Sequence, residues 1–258
     1  MPEVSIETVD RVQILRITRP DKKNALTEAI YKRLTDALEA GDRSRNIAAH
    51  VFMGSDGVFS AGNDISEFLA LSKDSGTLGE ETVRFIRALP AVGKPMIAAV
   101  DGLAVGIGTT LLLHCDLAYA SPAASLRTPF LNLGIVPEAG SSLLMPRRIG
   151  YARAFQMLCL GDAMTAEEAR EAGLFNAVVS ASDLEVTALD AARRLAAKPP
   201  EALAAARRLM RGDPAEVVAR IDAEIAEFRR RLASPEVREA FEAFLEKRPA
   251  DFSRPDRG

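Results

Sequence analysis

The sequence predicts an α/β fold, in which a layered core is followed by a helical C-terminal region. Three observations support this class. The 258 residues suit one α/β domain, or a core with a modest appendage. Short apolar strand patterns alternate with amphipathic helix patterns through about residue 200. Beyond Pro199-Pro200, helical periodicity takes over in three stretches rich in Ala, Glu and Arg: Glu201–Met210, Ala215–Leu232 and Pro235–Lys247. We therefore expect a core domain at residues 1–200 and a helical region for oligomer packing at residues 201–258.

The first part of the core begins with a predicted hairpin. Apolar and polar residues alternate on both sides of Asp10-Arg11, which predicts two short strands joined by a turn. Thr27 opens a predicted helix whose apolar residues recur on one face. A short strand is expected at His50–Gly54, and Asp64 with Glu67 predicts a second helix that begins with a capping box.

The second part of the core repeats this alternation. A helix is predicted for Glu80–Leu89, with Pro90 ending it. The apolar run Met96–Val100 predicts a buried strand, and Gly106–Thr110 opens an apolar helix that continues to Cys115. Two more short strands are expected, at Leu117–Ala120 and Ser125–Arg127.

Composition excludes several functional classes. Lys and Arg total 33 and Asp and Glu total 36, so the net charge is −3, which argues against a nucleic-acid partner. Apolar residues make up 48% of the chain, enough to exclude extensive disorder. No stretch is long and apolar enough for a membrane span, and the first residues lack the pattern of a signal peptide. Cys115 and Cys159 make no disulfide framework, so we expect a cytoplasmic protein in a reducing compartment.

Three segments are candidates for chemistry. Phe59–Ile65 and Val105–Thr109 are glycine-containing loops that each run into a predicted helix. Helix N-termini present unpaired N–H groups, and two that converge hold one developing oxyanion. Glycines in such loops are equally typical of plain turns, and the residues alone leave both interpretations open. The third segment is Thr128–Ser141, which contains Glu138.

Glu138 has two interpretations. It follows Pro137 at a predicted helix start, where an acid commonly complements the helix dipole. It is also a lone carboxylate beside an apolar run, where burial raises the pKa and favours a general base. His114 lies in an apolar helix pattern and is expected to be a core histidine. No HExxH or CxxC spacing occurs, so no metal site is expected.

Together, the three segments resemble the crotonase (enoyl-CoA hydratase/isomerase) superfamily, and the resemblance covers nearly the whole chain. The matching stretches are Arg19-Pro20, Lys23–Leu26, Phe59–Ile65, Lys94–Gly102, Cys115-Asp116, Leu133–Pro137, Gly161, Ala166–Ala169, Gly173-Leu174 and Phe244–Arg248. The resemblance implies a spiral of ββα units with C-terminal helices, assembled as a homotrimer or a dimer of trimers. It also implies an acyl-CoA thioester substrate and a role in fatty acid metabolism such as β-oxidation. Coenzyme A would then be part of the substrate, with no further cofactor.

The resemblance also implies roles for individual residues. The backbone N–H groups of Asn63 and Ile107 would hold the thioester oxygen, and Phe244 and Lys247 would reach the coenzyme A of a neighbouring subunit. The remaining residues expected to bind coenzyme A or the substrate are Lys23, Ala25, Ala61, Asp64, Ile65 and Phe130.

The acidic positions distinguish reactions within the superfamily. The hydratase pattern uses two glutamates, and the matching positions here are Thr110 and Phe130, which cannot act as carboxylate bases. Glu138 matches the single acid of the enoyl-CoA delta isomerases. The resemblance therefore implies an isomerase that moves the double bond of a 3-enoyl-CoA, with Glu138 as catalytic base. A hydratase acting on 2-enoyl-CoA and a non-catalytic acyl-CoA-binding protein are the alternatives.

Overall fold

The structure, a computed structural model, describes residues 3–67, 78–246 and 248–253, with the side chains of residues 244 and 245 excepted. Its described part contains two sheets. The larger sheet has the strand order β1 (Val4–Val9), β2 (Val12–Ile17), β3 (Ala49–Met53), β5 (Met96–Val100), β7 (Leu117–Ala120) and β10 (Ala177–Val178). The smaller sheet has the order β4 (Val58–Ser60), β6 (Leu103–Val105), β8 (Ser125–Arg127) and β9 (Met164–Thr165).

The chain moves repeatedly between the two sheets. It leaves β3 for β4, returns to β5 and β6, and then continues to β7 and β8. Within each sheet, the strands added one after another along this path are parallel neighbours. Parallel strands require crossover connections, and the helices provide them. β3 and β5 are buried at every residue, which explains why β5 is wholly apolar and why β3 is apolar except for His50.

The helices lie around these sheets. Their bounds are α1 (Glu28–Arg43), α2 (Glu80–Ala91), α3 (Ile107–Thr110), α4 (Ser141–Ile149), α5 (Tyr151–Phe155), α6 (Ala166–Glu171), α7 (Ala181–Ala196), α8 (Pro200–Arg211), α9 (Pro214–Leu232) and α10 (Pro235–Glu246). A 3-10 helix, Leu111–His114, continues α3. In the described part of the chain, no helix is long and apolar enough to cross a membrane.

The structure corrects two predictions about where helices begin and end. Asp64 accepts hydrogen bonds from the amides of Ser66 and Glu67, as a helix cap does. The carboxylate of Glu67, however, accepts from the Glu28 amide at the start of α1, so the second half of the predicted capping box is wrong. The reason is that the Asp64 amide already donates to the Leu26 carbonyl.

The second correction concerns α2. Pro90 does not end this helix, which continues to Ala91. The absent N–H of a proline costs one hydrogen bond, and in the last turn of a helix little structure follows to be disrupted.

The predicted N-cap of α1 is confirmed, since the Thr27 hydroxyl accepts from the Ile30 amide.

The C-terminal helices pack on the core and share its apolar interior. The three predicted stretches correspond to α8, α9 and α10, with ends that differ by at most one residue. Ile221, Phe228 and Phe241 belong to the same buried cluster as Phe85 of α2. This packing matters for the site, because the cavity described next lies between α2 and these helices.

Candidate active site

A cavity of about 410 Å³ lies between the core and the C-terminal helices. Its wall is mostly apolar, with Phe130, Ile135, Phe228 and Phe241 among its residues. Glu138 is the single acidic residue among the described lining residues, so we call this the Glu138 cavity. The predicted residues that line it are Ala61, Asn63, Ile65, Ile107, Phe130 and Glu138.

Glu138 is buried with few polar partners. Glu138 is 7% exposed. Its Oε1 accepts one hydrogen bond, from the Thr110 hydroxyl at 2.5 Å. Burial raises the pKa of Glu138 from 4.5 to about 8, the Thr110 hydrogen bond opposes this rise, and the charge of Glu224 adds to it. A group with a pKa near 8 can both take and return a proton close to neutral pH.

The turn after Glu138 separates it from the next helix. Ala139 and Gly140 have φ values of +55° and +74°, and α4 begins only at Ser141. The interpretation of Glu138 as an acid in a first helical turn is therefore wrong. His114 fixes this turn, since its Nε2 lies 2.7 Å from the Ala139 carbonyl oxygen. Burial lowers the pKa of His114 to about 4, so the ring is neutral and Nε2–H donates to that oxygen.

A second buried carboxylate, Glu224, completes the start of α4. It lies on α9 and accepts hydrogen bonds from the amides of Gly140 at 2.6 Å and Ser142 at 3.0 Å. Sequence reasoning missed this residue. The sequence did contain a sign of its role. Glu224 lies on the buried stripe of α9 formed by Ile221, Ile225 and Phe228, and a buried carboxylate needs a hydrogen-bond partner.

The two glycine-containing loops meet at the cavity. They follow β4 and β6, which are parallel neighbours, so both loops leave the same edge of the smaller sheet. Their backbones approach closely, since a Cβ on Gly62 would lie 2.7 Å from the Val105 carbonyl oxygen. Asn63 and Ile107 both line the cavity, and neither amide donates a hydrogen bond to any residue that the structure describes. Two unpaired N–H groups are thus available beside one apolar space.

Tyr31 holds the side chain of Asn63. Its hydroxyl donates to Asn63 Oδ1, and Tyr31 itself is completely surrounded by protein. Burial and the nearby charges of Glu138 and Glu28 raise the pKa of Tyr31 well above its ordinary value, so the phenol keeps its proton. Tyr31 was predicted only as part of the α1 region, and its contact with Asn63 links that helix to the loop.

Three other predicted residues lie beside the cavity without lining it. Lys23 is exposed, and its carbonyl accepts from the Ala61 amide at 2.9 Å. Ala25 is buried, and its carbonyl accepts from Arg19. Asp64 forms an ion pair with Arg19 at 2.7 Å, so its carboxylate is already partnered. The predictions for Lys247 and for the side chain of Phe244 lie outside the described residues.

Comparisons with known proteins match both the sequence and the fold. The family described as enoyl-CoA hydratase/isomerase matches residues 7–255. 2,3-Dehydroadipyl-CoA hydratase of Escherichia coli K12 is 35% identical over 254 residues, which cover 98% of this chain and 99% of that protein. Enoyl-CoA delta isomerase 2 of Rattus norvegicus is 34% identical over 243 residues, which cover 92% of this chain and 62% of that protein.

Among solved structures, an enoyl-CoA hydratase/isomerase from Pseudoalteromonas atlantica T6c superposes with a TM-score of 0.91. It is 36% identical, and the match covers 97% of this chain and 100% of that one. This likeness confirms the predicted spiral of ββα units with C-terminal helices.

Proposed function

The chain belongs to the enoyl-CoA hydratase/isomerase family, and we propose that within it the chain is an enoyl-CoA delta isomerase. The reaction would convert a 3-enoyl-CoA into the 2-enoyl-CoA by moving one double bond. One proton leaves C2 and one arrives at C4. Such a reaction needs a group that carries a proton and groups that stabilise charge on the thioester oxygen.

The first step assigns Glu138 as the base. The ionised carboxylate takes a proton from C2, and the electron pair of that C–H bond moves toward the thioester carbonyl to form a dienolate. The amides of Asn63 and Ile107, both unpaired within the described chain and both lining the cavity, would donate to the negative oxygen. Losing one such donor typically costs about 10²–10³ in rate.

The second step returns the proton at C4. The same carboxyl group, now protonated, gives its proton to C4 and the double bond settles between C2 and C3. Ala61, Ile65 and Phe130 line the apolar space that we assign to the substrate. A mostly apolar wall favours isomerisation over hydration, because Glu138 is the single acid among the described lining residues and a second carboxylate to position a water for attack is lacking there.

One observation carries this proposal. Among the described lining residues, Glu138 is the single acid, and within the described structure its carboxylate accepts from one hydroxyl, that of Thr110. Thr110 and Phe130 hold the positions that match the two glutamates of the hydratase pattern. One carboxylate is sufficient to shuttle a proton between two carbons of the same substrate, whereas the hydratase pattern uses a pair.

A hydratase is the second candidate function. It is favoured by the Escherichia coli relative named a hydratase, which matches this chain over 98% of its length. In that case Glu138 alone would activate water and protonate the substrate, without a second acid among the described residues of the cavity.

Product identification separates these candidates. Purified protein is incubated with 3-enoyl-CoA and 2-enoyl-CoA esters of several chain lengths, and the products are identified by chromatography and mass spectrometry. An isomerase produces 2-enoyl-CoA of unchanged mass, and a hydratase produces a 3-hydroxyacyl-CoA that is 18 Da heavier, about the mass of one water. Glu138→Gln is the matched control. Hydration by both proteins, without isomerisation, would overturn the proposal.

A further inference from the structure

A second cavity, of about 610 Å³, lies apart from the Glu138 cavity. It lies between the end of α2, the segment Leu113–Asp116, α4, α8 and the start of α9. No described residue lines both cavities. It therefore belongs neither to the proposed substrate space nor to the loops that carry Asn63 and Ile107.

This second cavity is strongly basic, and we call it the arginine cavity. One acidic residue, Asp116, occurs among its described lining residues. Five arginines line it: Arg147, Arg148, Arg207, Arg208 and Arg211. The whole chain has a net charge of −3, so this concentration of positive charge is local and does not follow from composition.

Asp116 neutralises only part of this charge. Both of its carboxylate oxygens lie 2.9 Å from Arg207 Nε, and it lies 3.7 Å from Arg211 Nε. Arg147 is paired elsewhere, with Glu216. One carboxylate is thus shared by two guanidinium groups within the cavity.

Two buried guanidinium nitrogens have no partner in the described structure. They are Nη2 of Arg207 and Nη1 of Arg211. Arg207 is only 7% exposed, so water does not readily replace a missing acceptor. An unpaired buried donor on a charged group is costly. A rotation of either guanidinium toward the cavity would let an oxyanion there accept from it and would remove that cost.

We propose that the arginine cavity binds a small soluble molecule through its phosphate or carboxylate group, held by Arg207 and Arg211 with Arg208 at the entrance. Guanidinium groups suit this chemistry because their planar N–H pairs match two oxygens of one oxyanion. The cavity volume lies within the usual range for small-molecule sites. The proposal does not depend on the reaction assigned to Glu138.

The arginine cavity also contacts the element that holds Glu138. Arg211 donates to the His114 carbonyl, and the His114 ring donates to the Ala139 carbonyl, one residue after Glu138. These two hydrogen bonds connect the arginine cavity to the turn that follows Glu138.

Calorimetric titration with pyrophosphate at constant ionic strength tests the proposal. The wild-type chain is expected to show saturable binding with one site per chain. Arg211→Gln should weaken it about tenfold or more, since it removes a charge-assisted hydrogen bond. Arg208 is exposed, so Arg208→Gln should fold normally and weaken binding by a smaller factor. Arg153 is exposed and outside this cavity, and Arg153→Gln should bind as the wild type does.

Three results would overturn the proposal. Absence of saturable binding by the wild type is the first. The second is equal binding by Arg211→Gln, Arg208→Gln and the wild type, displaced by free coenzyme A, which would assign the anion to the Glu138 cavity. The third is no pyrophosphate binding together with a smaller assembly of the arginine variants in sedimentation velocity. That result would identify an acidic side chain of a second copy of this chain as the occupant.

Discussion

Two buried carboxylates, one in the core and one on a C-terminal helix, show how local partners separate a reactive group from a structural one. Glu138 and Glu224 are equally buried, at 7% exposed each. Glu138 accepts one hydroxyl hydrogen bond, whereas Glu224 accepts from two backbone amides and from the Ser142 hydroxyl. Burial raises the pKa of both groups, and the hydrogen bonds to Glu224 oppose that rise.

The difference lies in what each carboxylate can still do. The oxygens of Glu224 are committed to the first amides of α4, so it stabilises that helix end. Glu138 keeps acceptor capacity that faces an apolar cavity, and its pKa of about 8 leaves its proton exchangeable near neutral pH. We infer that donor supply, rather than burial, distinguishes their roles.

The largest expected effect is on turnover by Glu138→Gln. This change keeps the shape of the side chain and removes its ability to carry a proton. We expect kcat/KM toward a 3-enoyl-CoA to fall about 10²–10⁴-fold, the usual contribution of a positioned base. Glu224→Gln should lower it far less. Steady-state kinetics of both variants checks this, with circular dichroism to confirm folding. Comparable losses in the two variants would contradict the distinction.

The next effect is on the pH dependence of stability. The pKa of Glu138 is about 8 in the folded state, above the ordinary value of 4.5 expected for the unfolded chain. The folded state therefore holds this proton more tightly, and the free energy of unfolding falls as pH rises from about 4.5 to 8. The loss attributable to Glu138 is on the order of a few kcal/mol.

Urea unfolding at pH 5 and pH 8 measures this loss. Wild type should lose more stability than Glu138→Gln between the two pH values, because the amide does not titrate. Groups that do not interact with Glu138 contribute equally to both proteins and cancel in the difference, whereas Glu224 does not cancel fully, because its charge raises the pKa of Glu138. The same pH dependence in both proteins would show that Glu138 titrates normally.

Elements with local signals were predictable from the sequence. Pro200, Pro214 and Pro235 each occupy the first position of a C-terminal helix, where proline is favoured, and α8 to α10 agree closely with the prediction. α7 was missed, although Ser180 caps it by accepting from the Asp183 amide. Its signals were local and were overlooked: the Ser180 cap at its start, and Pro199 three residues after its end at Ala196.

The site was predictable only in part, because its contacts are distant in sequence. The loops with Asn63 and Ile107 were recognised, but their meeting depends on the parallel pairing of β4 with β6, which periodicity does not specify. Glu138 kept two interpretations until the φ values of Ala139 and Gly140 separated it from α4. The carboxylate that accepts from the amides at the start of α4 is that of Glu224, which lies 84 residues from Gly140 in the sequence.

A smaller effect is expected on stability from Glu224→Gln. The variant loses the charge that receives the α4 amides and places an amide N–H group near these donors. We expect a loss of about 1–3 kcal/mol in the free energy of unfolding, the range for hydrogen bonds to a charged group. Glu227→Gln, on the same helix but paired with Arg230 near the surface, is the matched control and should change stability by less than about 0.5 kcal/mol. Equal effects would remove the structural role of Glu224.

The smallest effect is a shift in the pH profile caused by Thr110→Val. The Thr110 hydroxyl donates to Glu138 and lowers its pKa, so removing that donor should move the pKa of Glu138 above 8. In kcat/KM against pH, the rise toward the active ionised form should shift upward by about one pH unit, the equivalent of one neutral hydrogen bond. Thr110→Ser keeps the donor and should retain the wild-type profile. Because valine matches threonine in shape, a shift in the valine variant alone would show that even a single donor tunes Glu138, as three donors do for Glu224.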